Sequence, residues 1–148
     1  MPDIPQPLVR RARQGDADDV WPLARDFATS FVPQRAAFDR TWAALAGAPD
    51  AAGTLLAVVE VRGRAVGYLL AACHLTFLAD GPVAWVEEVM VDEGHRRGGA
   101  GRALMAHAED WARRGGAASV ALSSRRAGPF YRALGYDDSA VHVRKTLR

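Results

Sequence analysis

Cysteine is almost absent from this 148-residue sequence, since Cys73 is the only one. A single cysteine excludes an internal disulfide, and the simplest setting for such a chain is the reducing cytoplasm. No apolar run approaches the roughly 20 residues that a membrane helix needs, and the opening MPDIPQPLVRR has no apolar signal-peptide core. We therefore expect a cytoplasmic protein without a membrane partner.

The length and composition fit one globular domain. Of the 148 residues, 49% are hydrophobic and 24% are charged, which is the profile of a soluble chain with a proper core. We therefore expect a single domain over residues 1–148, without an internal repeat or a long linker.

Charges of the two signs are unevenly distributed along the chain. Residues 1–93 carry eight Lys/Arg and thirteen Asp/Glu, whereas residues 94–132 carry eight arginines and two acidic residues. The second segment is basic enough to hold a polyanion the size of a nucleotide cofactor, although a solvated arginine surface would have the same composition. Binding of nucleic acid is disfavoured, because no aromatic platform is interleaved with the arginines. The eight are Arg96, Arg97, Arg102, Arg113, Arg114, Arg125, Arg126 and Arg132.

Hydrophobic periodicity predicts strands and helices in the order β-α-α-β-β-β-α-β-α-β. Pro22 favours a late start for the first helix, because proline fits only the first turn comfortably. A mixed sheet with helices packed on it belongs to the α/β or α+β class. Strands are predicted over residues 7–13, 54–61, 65–77, 83–91, 118–124 and 139–147. Helices are predicted from a cap between Asp16 and Asp19 to Phe31, and over residues 34–47, 101–114 and 127–136.

A glycine-rich segment, RRGGAG at residues 96–101, comes just before a predicted helix. The dinucleotide fingerprint G-x-G-x-x-G fails here, because Leu104 stands where its third glycine belongs. The phosphate loop of nucleotide hydrolases fails as well, because Ala100 follows Gly99 where that loop needs its Gly-Lys-Ser/Thr ending. What remains is a helix N-terminus whose free N–H groups and missing side chains suit a phosphate or pyrophosphate. A tight turn with close helix–sheet packing is the plainer alternative.

The same segment resembles the signature of a known enzyme family. RRGGAG matches the R/Q-x-x-G-x-G/A motif of the GCN5-related N-acetyltransferases (GNAT), and VMV at residues 89–91 resembles the end of their preceding strand. PFYRALGY at residues 129–136 is similar to their second motif, and VRRARQGDADDV looks like their first strand and helix entry. The resemblance covers nearly the whole chain. It implies the GNAT fold, a central mixed, twisted sheet of six to seven strands flanked by about four helices.

In that family acetyl-CoA is the cosubstrate, no metal is needed, and the ligand lies in a V-shaped opening between two parallel strands. The resemblance places this opening between residues 83–91 and 118–123, where backbone groups of Val89 and Val91 would pair with the pantetheine arm. The pyrophosphate would bind N–H groups at the helix start. The cofactor-binding residues so implied are Val89, Met90, Val91, Arg96, Arg97, Gly98, Gly99, Ala100, Gly101, Arg102, Ser124 and Tyr131.

The implied chemistry is acyl transfer to an amine, which loses a proton while the thiolate of coenzyme A gains one. The resemblance assigns the acid role to Tyr131, although this tyrosine could equally be a core aromatic. The base is Glu87 or Glu88. A regular strand turns the two to opposite faces, and Glu87 stands where polyamine-type members carry a carboxylate. A β-bulge would change which of the two side chains faces the pocket. A water, His74 or His142 is the alternative base.

The amine acceptor stays open among aminoglycoside, polyamine, amino-acid and peptide-lysine classes. A protein N-terminus is disfavoured, because ALSS at residues 121–124 lacks the glutamate and asparagine that such members commonly carry there. Glu87 and Glu88 favour a cationic amine. By resemblance, the acceptor pocket involves Phe27, Phe31, Val32, Phe38, Trp42, Phe77 and Asp80.

Two functions follow as expectations. The first is an acetyl-CoA-dependent N-acetyltransferase that acts on a small-molecule or peptide amine by direct attack. The alternative is a non-catalytic acyl-CoA-binding or regulatory module on the same fold. Tyr131 and the strand carboxylates favour the enzyme, and a homodimer is compatible with the sequence.

Overall fold

The computed structural model describes residues 6–47, 53–125 and 127–148, so that Arg126 of the basic segment lies outside the described residues. Within these ranges no helix is long and apolar enough to span a membrane. The described strands are β1 (Leu8–Arg11), β2 (Thr54–Val61), β3 (Arg64–Thr76), β4 (Gly81–Val91) and β5 (Val120–Leu122). The described α-helices are α1 (Ala17–Phe27), α2 (Arg35–Ala46), α3 (Ala100–Arg114) and α4 (Gly128–Ala133). The predicted mixed α/β class is confirmed.

The strands form one sheet in chain order, β1-β2-β3-β4-β5. All neighbours are antiparallel except β4 and β5, which run parallel with Ala84 opposite Val120 and Val86 opposite Leu122. A parallel pair needs a crossover connection, and α3 supplies it. β2 lies inside the sheet and is buried over residues 55–59, as its continuous apolar run predicts.

Helices cover both faces of the sheet. Leu104 of α3 packs in a cluster with Val59 on one face, whereas Val20 of α1 and Trp42 of α2 pack with Val58 on the other. Successive side chains of a strand point to opposite faces, which is why neighbours in β2 belong to different clusters. The helices contribute apolar residues at helical spacing, so that each presents one apolar face to the sheet.

Arg10 of β1 ties the first strand to the start of α1. Its guanidinium donates to both carboxylate oxygens of Asp16, at 2.8 and 2.9 Å, and to Glu60 of β2 at 2.8 Å. The backbone N–H of Arg13 donates to Asp16 at 2.7 Å. Burial acts to raise the pKa of Asp16, but the hydrogen bonds from Arg10 and Arg13 outweigh it and leave the pKa below its ordinary value.

The first helix differs from its predicted bounds at both ends. Asp16 is its N-cap, so the earlier of the two starts is the observed one, and Pro22 lies in the second turn. The missing N–H of Pro22 removes one hydrogen bond, which burial of Val20 and Leu23 on either side outweighs. The helix ends at Phe27, and Phe31 lies beyond it.

The predicted last strand over residues 139–147 is not formed, and the described sheet has five strands instead of six to seven. The apolar alternation is present, but Val141 and Leu147 are 87% and 88% exposed. A strand is stable only when its backbone pairs with a neighbouring edge. This segment instead contacts the domain through side chains, as where His142 stacks on Trp85. β5 is also shorter than predicted, at 3 residues.

Candidate active site

The pairing of β4 with β5 covers only part of β4. The ladder between them ends at Val86 and Leu122, while β4 continues to Val91 in pairing with β3. Over residues 87–91, β4 therefore has a neighbour on one side only within the described part of the chain. We call the opening beyond Val86 and Leu122 the cleft. It lies where the resemblance implies a V-shaped opening, and an extended ligand can pair with the uncovered edge of β4 as a further strand would.

The glycine loop, residues 96–101, leads from the end of β4 into α3. Gly99 is the N-cap of α3 and has a φ of +87°, a left-handed conformation that other residues rarely adopt. Nothing lies within 4 Å of the position that a Cβ of Gly99 would take. Because the first N–H groups of a helix lack intrahelical partners, the loop combines free donors with open space. This is the combination that a phosphate needs.

Gly101 has a different role from Gly99. A Cβ at this position would lie 3.3 Å from Cζ of Phe130 and 3.9 Å from Cγ2 of Val91. The missing side chain therefore lets α3 approach α4 and the end of β4. At this one glycine, close packing is the better explanation, whereas open space for a ligand explains Gly99.

Three arginines surround the start of α3. Nε of Arg96 donates to the backbone carbonyl of Val91 at 3.1 Å, which ties the loop to the end of β4. Arg97 and Arg102 are exposed and form no ion pair with any residue that the structure describes. Their charge adds to the positive end of the α3 dipole, so an anion is stabilised here.

Tyr131 of α4 combines a buried ring with an available hydroxyl. The residue is 8% exposed, and its ring packs edge-on against Phe130 and Tyr136, with centroids 5.0 and 5.9 Å away. Among residues 6–47, 53–125 and 127–148, no group hydrogen-bonds to the Tyr131 hydroxyl. Burial raises the pKa of Tyr131, which keeps the phenol protonated at neutral pH. The ring belongs to the core, and the O–H can still donate a proton.

The two glutamates of β4 differ because a β-bulge lies between β3 and β4 at this point. Leu70 pairs with Glu88 and Ala71 pairs with Val86, so that Glu87 is the extra residue. Glu87 is exposed, whereas Glu88 is half-buried and lines a pocket on the α1–α2 face. The bulge thus reverses the orientation that regular alternation and the resemblance predict, in which Glu87 enters the pocket.

The Glu88 pocket lies between α1, α2 and the sheet, and its volume is about 80 Å³. Tyr68 of β3 also lines it and donates a 2.6 Å hydrogen bond to Oε1 of Glu88. Burial, followed by the charge of Glu88, raises the pKa of Tyr68, so Tyr68 remains the donor in this bond. Oε2 of Glu88 forms no hydrogen bond with the described residues and is available to a ligand.

Sequence reasoning found part of this pocket. Phe38 and Trp42 line it, as the resemblance implies. Tyr68 was missed, although its alternation with Leu70 along β3 places both on one face of the strand and could have indicated it. The other expected acceptor residues are exposed and do not line this pocket: Phe27, Phe31, Val32, Phe77 and Asp80.

His74, His142 and Ser124 lie outside the Glu88 pocket. His74 is exposed, and the ring of His142 stacks on Trp85 at 6.3 Å. Oγ of Ser124 accepts the backbone N–H of Ala127 at 3.1 Å, just before α4. Within the described residues no group of three or more His, Cys, Asp and Glu side chains is arranged to hold a metal.

Comparison with known proteins gives one family and many similar folds. The model of the acetyltransferase (GNAT) family matches residues 17–136. Glucosamine-6-phosphate N-acetyltransferase from Arabidopsis thaliana superposes with a TM-score of 0.82 at 18% identity, over 97% of this chain and 99% of that one. An aminoglycoside N-acetyltransferase in complex with CoA gives 0.83 at 16% identity, over 100% and 99%.

A protein described as a transcriptional regulator from Bacillus halodurans has a TM-score of 0.82 at 20% identity, over 96% of this chain and 100% of that one. At identities this low, the three structures establish a shared fold and no shared substrate. No curated protein matches the sequence.

Proposed function

Because the chain belongs to the GNAT acetyltransferase family, we propose that it transfers the acetyl group of acetyl-CoA directly to a primary amine of a small molecule or peptide. The cleft carries this proposal. Glu88 belongs to the uncovered stretch of β4, and Tyr131 packs in the same cluster as Val89 and Leu122, which flank the cleft. Glu88 turns its side chain to the α1–α2 face and Tyr131 packs on the α3 face. An acetyl thioester that lies in the cleft between the two faces would therefore have a proton acceptor on one side and a proton donor on the other.

The groups around the cleft fit coenzyme A. The one-sided edge of β4 suits the amide groups of a pantetheine arm. The open space at Gly99, the N–H groups at the start of α3 and the unpaired Arg97 and Arg102 suit a pyrophosphate. When bound, acetyl-CoA supplies an activated acetyl thioester, and the chain contributes orientation and proton transfer.

Proton transfer follows from the two flanking side chains. The amine nitrogen forms a bond to the acetyl carbonyl carbon, and the bond from that carbon to sulfur breaks. Before the attack, the ammonium form of the amine gives up one proton to Glu88, directly or through a water. After the attack the nitrogen loses its second proton to solvent, and the departing thiolate takes one from Tyr131. Solvent then returns a proton to Tyr131 and removes one from Glu88, so the chain is unchanged after each turnover.

A non-catalytic acyl-CoA-binding module is the second candidate, since one similar fold belongs to a protein described as a transcriptional regulator. Such a module would need the glycine loop but not the pair of Glu88 and Tyr131. The available Tyr131 hydroxyl and the Glu88 pocket therefore favour the enzyme. A homodimer and a cytoplasmic location remain predictions.

Two measurements test the proposal in sequence. At a hundredfold excess over Kd, coenzyme A should stabilise the fold by about 2.7 kcal/mol. In a domain of this size this raises Tm by roughly 5–12 °C. ATP and NAD should raise it much less, because neither has a pantetheine arm. A screen of amines with acetyl-CoA, read by released thiol, then separates the candidates: a module would show the Tm shift without thiol release.

A further inference from the structure

The ring of Tyr68 is held where β3 meets the first two helices. Tyr68 is 3% exposed and packs in one cluster with Val20 of α1 and Trp42 of α2. Because a closely packed ring has few alternative rotamers, the packing also sets the position of its hydroxyl. That hydroxyl donates to Oε1 of Glu88 at 2.6 Å. The bond therefore connects the core of the domain to the group that takes the proton in the proposed reaction.

The sheet brings the two side chains together across the β3–β4 ladder. Tyr68 and Leu70 lie two residues apart on β3, and Leu70 is the partner of Glu88. Tyr68 is thus a diagonal neighbour of Glu88, and long side chains reach one another across such a diagonal. Since Glu87 is the extra residue of the bulge, Glu88 is the glutamate that stands on this face.

No cation shares the Glu88 pocket with this pair. The side chains that α1, α2 and β2 contribute to its lining are all uncharged, and Glu88 forms no ion pair with any residue that the structure describes. Burial, followed by the charge of Glu88, keeps the pKa of Tyr68 raised and the phenol protonated. Among the lining residues, Tyr68 is the only one that donates a hydrogen bond to the carboxylate.

Resting on the proposed acetyl transfer, we propose that Tyr68 is a positioning residue that holds the carboxylate of Glu88 in place and in its ionised form. A hydrogen bond to the charged form of a carboxyl group favours that form. Only the ionised carboxylate can take a proton from an ammonium group. Tyr68 occupies Oε1, which leaves Oε2 for the amine or for a bridging water. Tyr68 therefore acts through Glu88 and not on the reacting atoms.

The variant Tyr68→Phe tests this role, because it keeps a ring in the core and removes the hydroxyl. The measurement is kcat/KM against pH, with the fastest acceptor among kanamycin, spermidine, glycine and Nα-acetyl-lysine. Without the donor, the ionised carboxylate is less favoured, so the acid limb should move to higher pH by about one unit. Below the acid limb of the parent, kcat/KM should fall about tenfold, and the loss should narrow as pH rises.

Tyr136→Phe is the matched control for this measurement. It removes a similar bond, in which the Tyr136 hydroxyl donates to Glu109 at 2.8 Å, and neither residue lines the Glu88 pocket. The acid limb of Tyr136→Phe should coincide with that of the parent. If Tyr68 only stabilises the fold, Tyr68→Phe should lower Tm and leave the acid limb in place, which would overturn the positioning role.

A measurement on the parent covers the case in which Tyr68→Phe does not fold. The chain has three tyrosines, so a carbon-13 label at Cζ gives three resonances, which Tyr131→Phe and Tyr136→Phe assign. The Tyr68 resonance should move on acidification with the midpoint of the acid limb of kcat/KM, because protonation of Glu88 weakens the bond. The Tyr131 resonance should stay in place through that midpoint. A Tyr68 resonance that does not move would contradict the proposal.

Turnover separates this role from the function on which it rests. Acetylation of one of the four amines, with the same acid limb in the parent and in Tyr68→Phe, would remove the positioning role and leave the acetyltransferase intact. A parent that binds coenzyme A but acetylates none of them would overturn the proposed function, and the positioning role with it, even where the Tyr68 resonance moves.

Discussion

Tyr68 donates a 2.6 Å hydrogen bond to Oε1 of Glu88 across the β3–β4 ladder. The bond is formed because the extra residue at Glu87 turns Glu88 onto the face that Tyr68 occupies. One carboxylate oxygen is fixed by the protein, and the other can meet a ligand. A bulge of a single residue thus turns Glu88, and not Glu87, toward the pocket between α1, α2 and the sheet.

The first prediction separates these two glutamates. Glu88→Gln should lower kcat/KM at neutral pH by about 10²-fold, because assisted deprotonation of the amine is lost. At a pH above the amine's own pKa, part of the loss should return, since the free amine needs no base. Glu87→Gln is the matched control, and its pH–rate profile should follow the parent. The opposite pattern would place the base on Glu87, and parent-like profiles for both would favour a water chain.

The second prediction concerns the proton donor. Tyr131→Phe keeps the buried ring and removes only the hydroxyl. The free energy of unfolding and the affinity for coenzyme A should therefore not change. We expect kcat to fall by about 10²-fold. Tyr136→Phe serves as the control, because its ring contacts Tyr131 and its hydroxyl donates to Glu109. It should lose about 1 kcal/mol of stability and keep its kcat. An unchanged kcat for Tyr131→Phe would assign this tyrosine to packing alone.

The third prediction uses the two ends of α3. Gly99 and Gly116 both have positive φ, at +87° and +78°, and both have open space around a Cβ. Gly99→Ala and Gly116→Ala should therefore each cost about 1 kcal/mol of stability through backbone strain. Only Gly99→Ala should also weaken CoA binding, by at least about tenfold, the cost of one lost charge-assisted hydrogen bond. Equal CoA affinities for the two variants, measured by calorimetry, would move the phosphate site elsewhere.

The fourth prediction concerns stability and pH. The folded pKa of Asp16 lies below the unfolded value of about 3.9. The contribution of Asp16 to the free energy of unfolding is therefore present above that unfolded value, and it is lost as pH falls through the folded pKa. Asp16→Asn should lose about 2 kcal/mol in urea unfolding at pH 7, because Arg10 loses a charged partner. The difference from the parent should shrink under acid conditions.

Asp39→Asn is the control for this effect, because Asp39 pairs with Arg35 on an exposed face of α2. Exposed pairs contribute little, so this variant should resemble the parent at every pH. A constant difference between Asp16→Asn and the parent, down to the lowest pH at which the parent folds, would mean that Asp16 acts through packing and not through its charge.

Most of the helices and strands could be predicted from the sequence, because the hydrophobic pattern of each segment agrees with the way in which that segment packs. The continuous apolar run of β2 predicts a buried strand, and the helical spacing of apolar residues in α3 predicts a helix with one apolar face. Residues 139–147 alternate as a strand should, but a period-two pattern does not specify an edge with which to pair. The predicted strand was therefore wrong, although its pattern is genuine.

The site depended on details that a sequence pattern does not contain. The bulge at Glu87 is invisible in a list of alternating residues, so parity selected the wrong glutamate for the pocket. The glycine loop lies at the start of α3, as the sequence predicts, but the sequence does not show that a Cβ at Gly99 would meet open space whereas one at Gly101 would meet Phe130.

The most direct test of the central claim measures thiol release and N-acetylated product together, with acetyl-CoA and a panel of primary amines. We predict that the amine-dependent rate of thiol release equals the rate of product formation, one for one. Both should fall together by about 10²-fold in Glu88→Gln and in Tyr131→Phe at neutral pH. A Tm shift with coenzyme A but no amine-dependent thiol release, with acceptors from every class tested, would contradict the claim and identify a non-catalytic acyl-CoA-binding module.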